Sequence, residues 1–538
     1  MELRAAWPWL FLAVAASTAA CSGDAGDPPS PAGQGGAAGA GGGAGPGGPG
    51  GQGGSSPIHP APFDWVGIVG TGQSLSVGAA GLPVVSVTQP YANLKLVDAS
   101  PDPKYDGAGD ALSLEPLTAP IRPNSDAYPP IAYPNNIYGE TPNEGMGNQL
   151  YALTRAVGGF DTVTVHTNVG ESGQSIHVIE KGGSGKAYAS TLYEAAAIKA
   201  LADQAGKTFG YGAVLLTHGE TDALDQDYGT ALRKLWGDYN ADLKAITGQT
   251  TSIPVILTQQ STFPFDVGSA SFSTQIAWRL GVDYPGDFYC AGPKYQYDYA
   301  SDLVHLTAPQ YRRLGAKYAE VYARALLSDE GWRPLQPATA SIAGATITVR
   351  FDVPDPPLAW EETIPPPHQQ VLPEWAAGRG FEVLDSTGAL TITGVAIEGD
   401  TIVLQLAAPP TGADLAVGYA MAQDGQGPGG GAPGGRRGQL RDSDAFVGYE
   451  VRAIPCAVTE GSSVVTSATP GLFAELSRTD LATGPGLQGD AVVVARSGDS
   501  LTLSQPWTGA TGEASITFRN DQRNYAVQFY LPVPWPQP

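Results

Sequence analysis

The sequence predicts an α/β protein, with a three-layer α/β/α domain around a central parallel sheet and an all-β, sandwich-like region after it. Short apolar runs alternate with amphipathic helical stretches in the first half of the chain, which is typical of a parallel sheet covered on both faces. Beyond residue 337, apolar and polar residues alternate one by one, which is typical of β-strands with one face buried and the other exposed. The 538 residues leave room for several domains.

Composition excludes several classes of protein. The net charge of −23, from 52 acidic and 29 basic residues, argues against nucleic acid as a partner, because phosphate binding needs a basic surface. Three cysteines are too few for a disulfide scaffold. The six histidines show no ligand spacing, and neither CxxC nor HExxH occurs. The sequence therefore predicts no metal site and no cofactor.

The N-terminus has the pattern of a targeting segment. An apolar run at 10–16 is followed by small residues and then Cys21, and it is too short to span a bilayer. Residues 1–21 resemble a bacterial lipoprotein signal, which implies lipid attachment at Cys21. The alternative is an ordinary signal peptide with a chance cysteine. We expect an exported protein, either a cell-envelope lipoprotein on the outer membrane or cell surface or a secreted one, whose only membrane contact is the lipid.

Residues 22–62 form a Gly/Pro-rich tract without apolar periodicity. Such a tract cannot bury enough surface to offset the entropy of ordering it, so we expect a disordered tether. Two cysteines, Cys290 and Cys456, lie in the globular part that follows the tether, and the sequence leaves open whether they pair.

Residues 63–337 contain the alternating elements of the catalytic domain. Apolar or β-branched runs at 65–70, 161–169, 213–217 and 253–258 predict strands, and helical spacing at 188–205, 228–247 and 308–327 predicts helices. In parallel sheets of this kind the active site forms at the carboxyl ends of the strands.

Polar residues stand where these strands end. Ser74 follows the first strand, Gly173 the second, and His218 begins a polar stretch after the third. Asp302 and His305 precede the last helix. A serine with a nearby imidazole, a carboxylate to orient it and backbone amides for an oxyanion are the parts of acyl transfer.

Three motifs, Gly72-Gln73-Ser74, His218-Gly219-Glu220-Thr221-Asp222 and Asp302-x-x-His305-Leu306-Thr307, resemble those of the SGNH (GDSL-like) hydrolases. They are closest to the sialate O-acetylesterase and acetyl xylan esterase branch, and the resemblance covers about residues 66–322. It implies Ser74 as nucleophile, His305 as general base and Asp302 as its orienting acid. It also implies that the amides of Ser74 and Gly173 bind the oxyanion, with Gly72, Gln73, Gly219, Glu220 and Asp222 supporting the site.

One position departs from the family pattern. Thr221 stands where SGNH enzymes carry an oxyanion-binding Asn. The carbohydrate-esterase branch also lacks this Asn and keeps the Gly-Glu pair, so the change fits that branch. The third donor is then the Thr221 hydroxyl, the His218 side chain or a backbone amide. His218, Glu220 and Asp222 are equally consistent with a hydrogen-bonded scaffold, and Asp222 is an alternative to Asp302. His177, after the second strand, is a candidate to line the substrate cleft.

Two further regions complete the organisation. The segment 82–147 has no clear periodicity and is rich in Pro, Asn, Asp and Tyr, which suits either a wall of the substrate cleft or a cover for the sheet edge. Residues 338–453 and 520–538 predict a β-sandwich-like domain, and 454–519 a small inserted β module.

The predicted function is a serine esterase that removes acetyl groups from a carbohydrate through an acyl-enzyme. The alternatives are a lipase, thioesterase or polyester hydrolase of the same superfamily, and a non-catalytic glycan-binding or adhesion protein. The sequence determines neither the sugar, nor the acyl group, nor the oligomeric state.

Overall fold

The computed structural model describes residues 57–99, 111–121, 139–425, 435–444, 448, 452–473, 476, 480–489, 491–520 and 523–534. Cys21, most of the predicted tether and the tyrosine-containing stretch 128–136 of the long segment lie outside these residues. The described residues belong to the compact unit that starts at Ser56.

A seven-stranded sheet forms the centre of the first region. Its strands are β1 Trp65–Gly72, β2 Leu94–Asp98, β3 Leu112–Pro116, β4 Val163–Asn168, β5 Phe209–Thr217, β6 Val255–Leu257 and β7 Phe288–Cys290. They lie in the order β3-β2-β4-β1-β5-β6-β7. All neighbours are parallel except β2 and β3.

Among the described residues, six α-helices accompany the sheet: α1 Pro142–Leu153, α2 Ile176–Ile179, α3 Ala187–Gln204, α4 Tyr228–Thr247, α5 Phe272–Asp283 and α6 Ala308–Tyr322. Side chains alternate across β5, so Ala213 and Leu215 join a core with α1 and α6. Val214 and Leu216 join a second core with α3, α4 and α5. The predicted three-layer α/β/α fold is confirmed.

The long segment 82–147 is more regular than its sequence pattern indicates. Its described part contains β2, β3 and the start of α1. Nearly every residue of α1 is buried, including Asn143 and Glu144. A helix that is buried all round shows no apolar stripe, which is why periodicity did not reveal it.

The second region is antiparallel throughout its described strands, as predicted. The strands that precede the insertion are β8 Gln336–Ala343, β9 Thr346–Asp352, β10 Ala359–Trp360, β11 Phe381–Asp385, β12 Gly388–Ala389, β13 Ile392–Glu398, β14 Thr401–Leu406, β15 Ala416–Tyr419 and β16 Leu440–Arg441. The inserted strands are β17 Arg452–Val458, β18 Val464–Thr466, β19 Leu481–Thr483, β20 Ala491–Ser497, β21 Ser500–Leu503 and β22 Gly512–Arg519, and β23 Phe529–Pro532 follows them.

These strands form two four-stranded sheets, β12-β11-β15-β23 and β13-β14-β9-β8, a short β10-β16 pair, and a closed barrel of the inserted strands β17 to β22. The sheets share an apolar core that also takes in Trp278 of α5 and Tyr295. The barrel has its own core. Cys290 and Cys456 are buried in these two separate cores, and both thiols are free.

Candidate active site

Strand β1 delivers Ser74 to the carboxyl edge of the sheet. The strand ends at Gly72, whose φ is 134°, and a Cβ there would lie 2.2 Å from the main-chain oxygen of Thr217. Only glycine fits such a position. The amide of Gln73 then donates to the same Thr217 oxygen at 3.2 Å. The chain therefore turns off the sheet at Gln73, and Ser74 comes next.

Ser74, His305 and Asp302 form one hydrogen-bonded line. The Oγ atom of Ser74 lies 2.8 Å from Nε2 of His305, and Nδ1 of His305 lies 2.6 Å from Oδ2 of Asp302. The structure thus brings together three residues that are up to 231 positions apart in the sequence. This order of groups is that of a nucleophile, a base and an orienting acid.

The turn that carries Asp302 and His305 fixes their relative orientation. Oδ1 of Asp302 accepts hydrogen bonds from the amides of Val304 and His305, both at 3.0 Å. Leu303, which follows Asp302 in this turn, has a left-handed φ of 55°. Partial burial raises the pKa of Asp302, but the hydrogen bonds from the His305 side chain and the two amides outweigh it and lower the pKa overall. An ionised Asp302 holds the proton on Nδ1, so Nε2 can accept the Ser74 proton.

The loop after β4 supplies a second wall of the site. The amide of Glu171 donates to the Gly72 oxygen at 2.9 Å, which places this loop beside the end of β1. Gly173 has a φ of 70°, in the left-handed region. Among the hydrogen bonds of the described residues, none uses the backbone amide of Ser74 or Gly173 as donor.

His218 is placed as a scaffold between two loops. Its Nε2 lies 3.1 Å from the main-chain oxygen of Gln174 and its Nδ1 3.1 Å from the hydroxyl of Tyr228. A carbonyl only accepts, so Nε2 carries the proton and Nδ1 accepts from Tyr228. Both ring nitrogens are occupied, which leaves His218 without a free donor for an oxyanion. Burial lowers the pKa of His218, which keeps the ring neutral.

Asp222 is also part of this scaffold. Its Oδ2 accepts the amide of Ile176 at 3.1 Å and lies 3.5 Å from Nδ1 of His218. Burial raises the pKa of Asp222. These contacts join the loop after β5 to the loop after β4, and it is Asp302 that meets His305.

Glu220 belongs to a buried ion pair that the motifs do not reveal. Lys294 donates to Oε1 of Glu220 at 2.6 Å, and the two side chains are 0 % and 2 % exposed. A charged group this deeply buried needs a partner of opposite charge. In the sequence, only this requirement indicates that Glu220 has a partner such as Lys294, because the two residues are 74 positions apart.

The remaining candidates, Thr221 and His177, are exposed to solvent. The amide of Thr221 donates to Oε1 of Gln73 at 3.3 Å, and Thr221 itself is exposed. The ring of His177 is 51 % exposed and pairs with Asp225 at 2.9 Å.

No described group of three or more His, Cys, Asp or Glu residues is arranged to hold a metal ion. No described helix is both long and apolar enough to cross a membrane.

No family model and no curated protein matches this chain. It is similar to a carbohydrate acetylesterase from Xanthomonas citri at 14 % identity and a TM-score of 0.42, over 71 % of this chain and 81 % of that one. It is similar to a carbohydrate acetylesterase from Sinorhizobium meliloti at 14 % identity and a TM-score of 0.25, over 47 % and 97 %. It also matches a protein named NanS at 10 % identity and a TM-score of 0.32, over 50 % and 98 %.

At these identities and TM-scores no activity follows from the likenesses. The hydrogen-bonded line of side chains comes from two sequence motifs, Gly72-Gln73-Ser74 and Asp302-x-x-His305. In those motifs and in its three-layer fold, this chain is similar to the SGNH hydrolases.

Proposed function

We propose that this protein is a serine esterase that hydrolyses O-acetyl esters of a carbohydrate through an acyl-enzyme. One observation carries the proposal, namely the line from Asp302 through His305 to Ser74, with contacts of 2.6 and 2.8 Å. A serine is a weak nucleophile at its own pKa and needs such a base. A glycan-binding protein would have no use for it.

In the proposed mechanism Ser74 Oγ attacks the acetyl carbonyl carbon while Nε2 of His305 takes the hydroxyl proton. The carbonyl electron pair moves to oxygen, where the amides of Ser74 and Gly173 stabilise the charge, each by about 3 kcal/mol. The C–O bond to the sugar then breaks, and His305 gives its proton to the sugar oxygen. Water, activated by the same imidazole, hydrolyses the acetyl-enzyme and restores Ser74.

The carbohydrate part of the proposal rests on the motif resemblance. Two of the similar structures are themselves carbohydrate acetylesterases. The fold alone does not select this chemistry, because one fold hosts many acyl transfers.

Acetate release by a fragment beginning at Phe63 tests the proposal. Acetylated xylan, acetylated sialic acid and p-nitrophenyl esters of increasing chain length are offered to the fragment and to its Ser74→Ala variant. Ser252→Ala, which changes an exposed serine, is the matched control. We expect acetate from a glycan, lost only in Ser74→Ala. Hydrolysis of long acyl esters alone would indicate a lipase or polyester hydrolase, and no hydrolysis would favour a binding protein.

We also propose that the protein is exported and lipid-anchored through Cys21. This rests on the N-terminal pattern alone. Metabolic labelling with a radioactive fatty acid should mark the full chain in a bacterial host and not the Cys21→Ala variant. Equal labelling of both would exclude Cys21 as the attachment site.

A further inference from the structure

A short aromatic loop lies at the same edge of the sheet as Ser74. It follows β6 and contains Phe263 and Phe265, whose rings are 4.1 Å apart at an interplanar angle of 33°. Both side chains are only partly buried. Two adjacent phenylalanine rings left partly in water at the edge of the sheet that carries Ser74 form an apolar surface that suits a ligand.

The loop is fixed to the loop after β5. Gln260 accepts the amides of Thr262 and Phe263 at 2.9 Å and donates to the Phe263 oxygen at 2.7 Å. Ser273, just beyond the loop, donates to the Gly219 oxygen at 2.6 Å. The loop after β5 in turn contacts Gln73, the neighbour of Ser74. The aromatic pair therefore stands on a hydrogen-bonded path that ends beside the nucleophile.

The β-rich region holds this loop from behind through Arg436. The guanidinium donates to the Pro264 oxygen at 2.8 Å and to the Ser269 oxygen at 2.9 Å. It also donates to the Met421 oxygen at 2.8 Å and contacts Gln423 at 3.3 Å. Main-chain bonds join the same segments, since Gly268 donates to the Gln423 oxygen at 2.8 Å. One side chain thus clamps the aromatic loop to the second region.

Holding the loop with Arg436 requires the burial of a charged side chain, which costs free energy. Its side chain is fully buried, its hydrogen-bond acceptors are neutral oxygens, and burial lowers its pKa to about 10. Burying this charge costs free energy that a smaller apolar residue would not, and the nearby buried carboxylates of Glu382 and Asp424 offset only part of that cost. A planar fork of donors is instead suited to fixing several carbonyls in one geometry.

We propose that Phe263 and Phe265 form a stacking subsite for a sugar ring of the acetylated carbohydrate, and that Arg436 is a positioning residue for this subsite. The inference rests on the proposed esterase function and names the part of the site that recognises the sugar. A pyranose ring presents apolar C–H groups on its faces and hydroxyls at its edge, so an aromatic surface covers the face and leaves the edge to water. Loops on a rigid scaffold are the usual place for such recognition.

The test compares substrates with and without a sugar ring. Acetylated xylo-oligosaccharides, ethyl acetate and ethyl hexanoate are hydrolysed by the wild type, by the double variant Phe263→Ala/Phe265→Ala and by Leu472→Ala. The last variant removes a similarly exposed apolar side chain of the inserted barrel (37 % exposed). We expect the double variant to lose about tenfold in kcat/KM on the oligosaccharide, mainly through KM. Ethyl acetate hydrolysis should stay within about twofold.

Two added arms sharpen the result. Phe265→Trp keeps an aromatic face and should retain oligosaccharide hydrolysis, whereas Phe265→Leu should not. Arg436→Lys keeps the charge but loses the fork, and it should raise KM for the oligosaccharide without changing ethyl acetate hydrolysis. Calorimetric titration of the oligosaccharide into Ser74→Ala, with and without the double substitution, should show the same loss as weaker binding.

The outcomes separate the two proposals. An equal loss on ethyl acetate would mean that the loop merely supports the triad, and a loss confined to ethyl hexanoate would make it an acyl-chain site; both overturn the subsite. Unchanged oligosaccharide kinetics would also overturn it and leave the esterase standing. A wild type that hydrolyses none of the three esters would overturn the proposed function itself.

Discussion

Two loops at the same edge of the sheet each carry a histidine and an aspartate, and they use them differently. His305 and Asp302 are 2.6 Å apart with side chains 20 % and 44 % exposed. His218 and Asp222 are 3.5 Å apart with side chains 0 % and 3 % exposed. The second nitrogen of His305 meets a serine hydroxyl, whereas that of His218 meets a main-chain oxygen. Spacing alone therefore does not mark a catalytic pair; the partner of the second nitrogen and its access to solvent do.

The largest expected effect comes from removing the imidazole of the accessible pair, which is the proposed base. His305→Ala should lower kcat for acetate release by about 10⁴-fold or more, because nucleophile and base act as a unit. The midpoint of thermal unfolding should move by no more than about 3 °C, since the ring is near the surface. A variant that keeps most of its activity would contradict the assignment of His305 as the base.

Asp302→Asn should come next, with a loss in kcat of about 10³ to 10⁴. An amide in place of the carboxylate can donate to Nδ1, which would leave the imidazole proton on Nε2. A protonated Nε2 cannot accept the proton of Ser74. Asp225→Asn is the matched control because Asp225 also pairs with an imidazole, that of the exposed His177. A loss of similar size in the control would show that the effect is not specific to the line through Ser74.

His218→Ala should affect stability more than chemistry. It removes a buried ring and leaves the Gln174 oxygen and the Tyr228 hydroxyl without their partner, at a cost of about 2–4 kcal/mol in the free energy of unfolding. Loss of the contact to Gln174 loosens the loop of Gly173, so kcat should fall by only about tenfold. Denaturant unfolding and initial rates measure the two effects. A loss in kcat as large as that of His305→Ala would favour a direct catalytic role for His218.

The smallest effect is on the pH dependence of stability. The pKa of His218 is lowered by burial, so below pH 6.5 the unfolded chain binds a proton that the folded chain does not. The contribution of His218 to the free energy of unfolding should therefore fall as the pH falls below 6.5. For one proton the limiting slope is about 1.4 kcal/mol per pH unit.

His218→Gln should remove this contribution, so the wild type should lose stability relative to the variant when denaturant unfolding of both is measured from pH 7 down to pH 5. His166, whose pKa burial lowers to about 3, contributes equally to both proteins. Asp302, with its pKa below the usual value, adds acid sensitivity only below pH 3.8. An unchanged slope would mean that His218 is protonated in the folded protein.

Local sequence patterns predicted the parts of the fold that carry their own signal. The strands near 65–70 and 213–217 and the helix 228–247 were visible because apolar runs and helical spacing are local. Helix α5 and strands β2 and β3 were not predicted. Helix α1 was not predicted either, because burial on all sides removes the periodic signal of a helix.

The partners of the site were hidden for a different reason. Lys294 contacts Glu220 across 74 positions, and Arg436 contacts Ser269 across 167. No short motif spans such distances. Tyr228 lies only ten positions from His218, yet nothing in its surroundings indicates that its hydroxyl turns toward the ring.

The sequence by itself determined the order of elements and the residues offered at each strand end, because hydrophobic periodicity and short motifs are properties of neighbouring residues. Tertiary structure alone decided which histidine faces Ser74, which carboxylate meets it, and which region holds the aromatic loop. Those choices depend on the register of parallel strands and on the burial of groups far apart in the chain. Register brings Gly72 opposite Thr217, and burial turns one His–Asp pair into a scaffold while the other stays within reach of solvent.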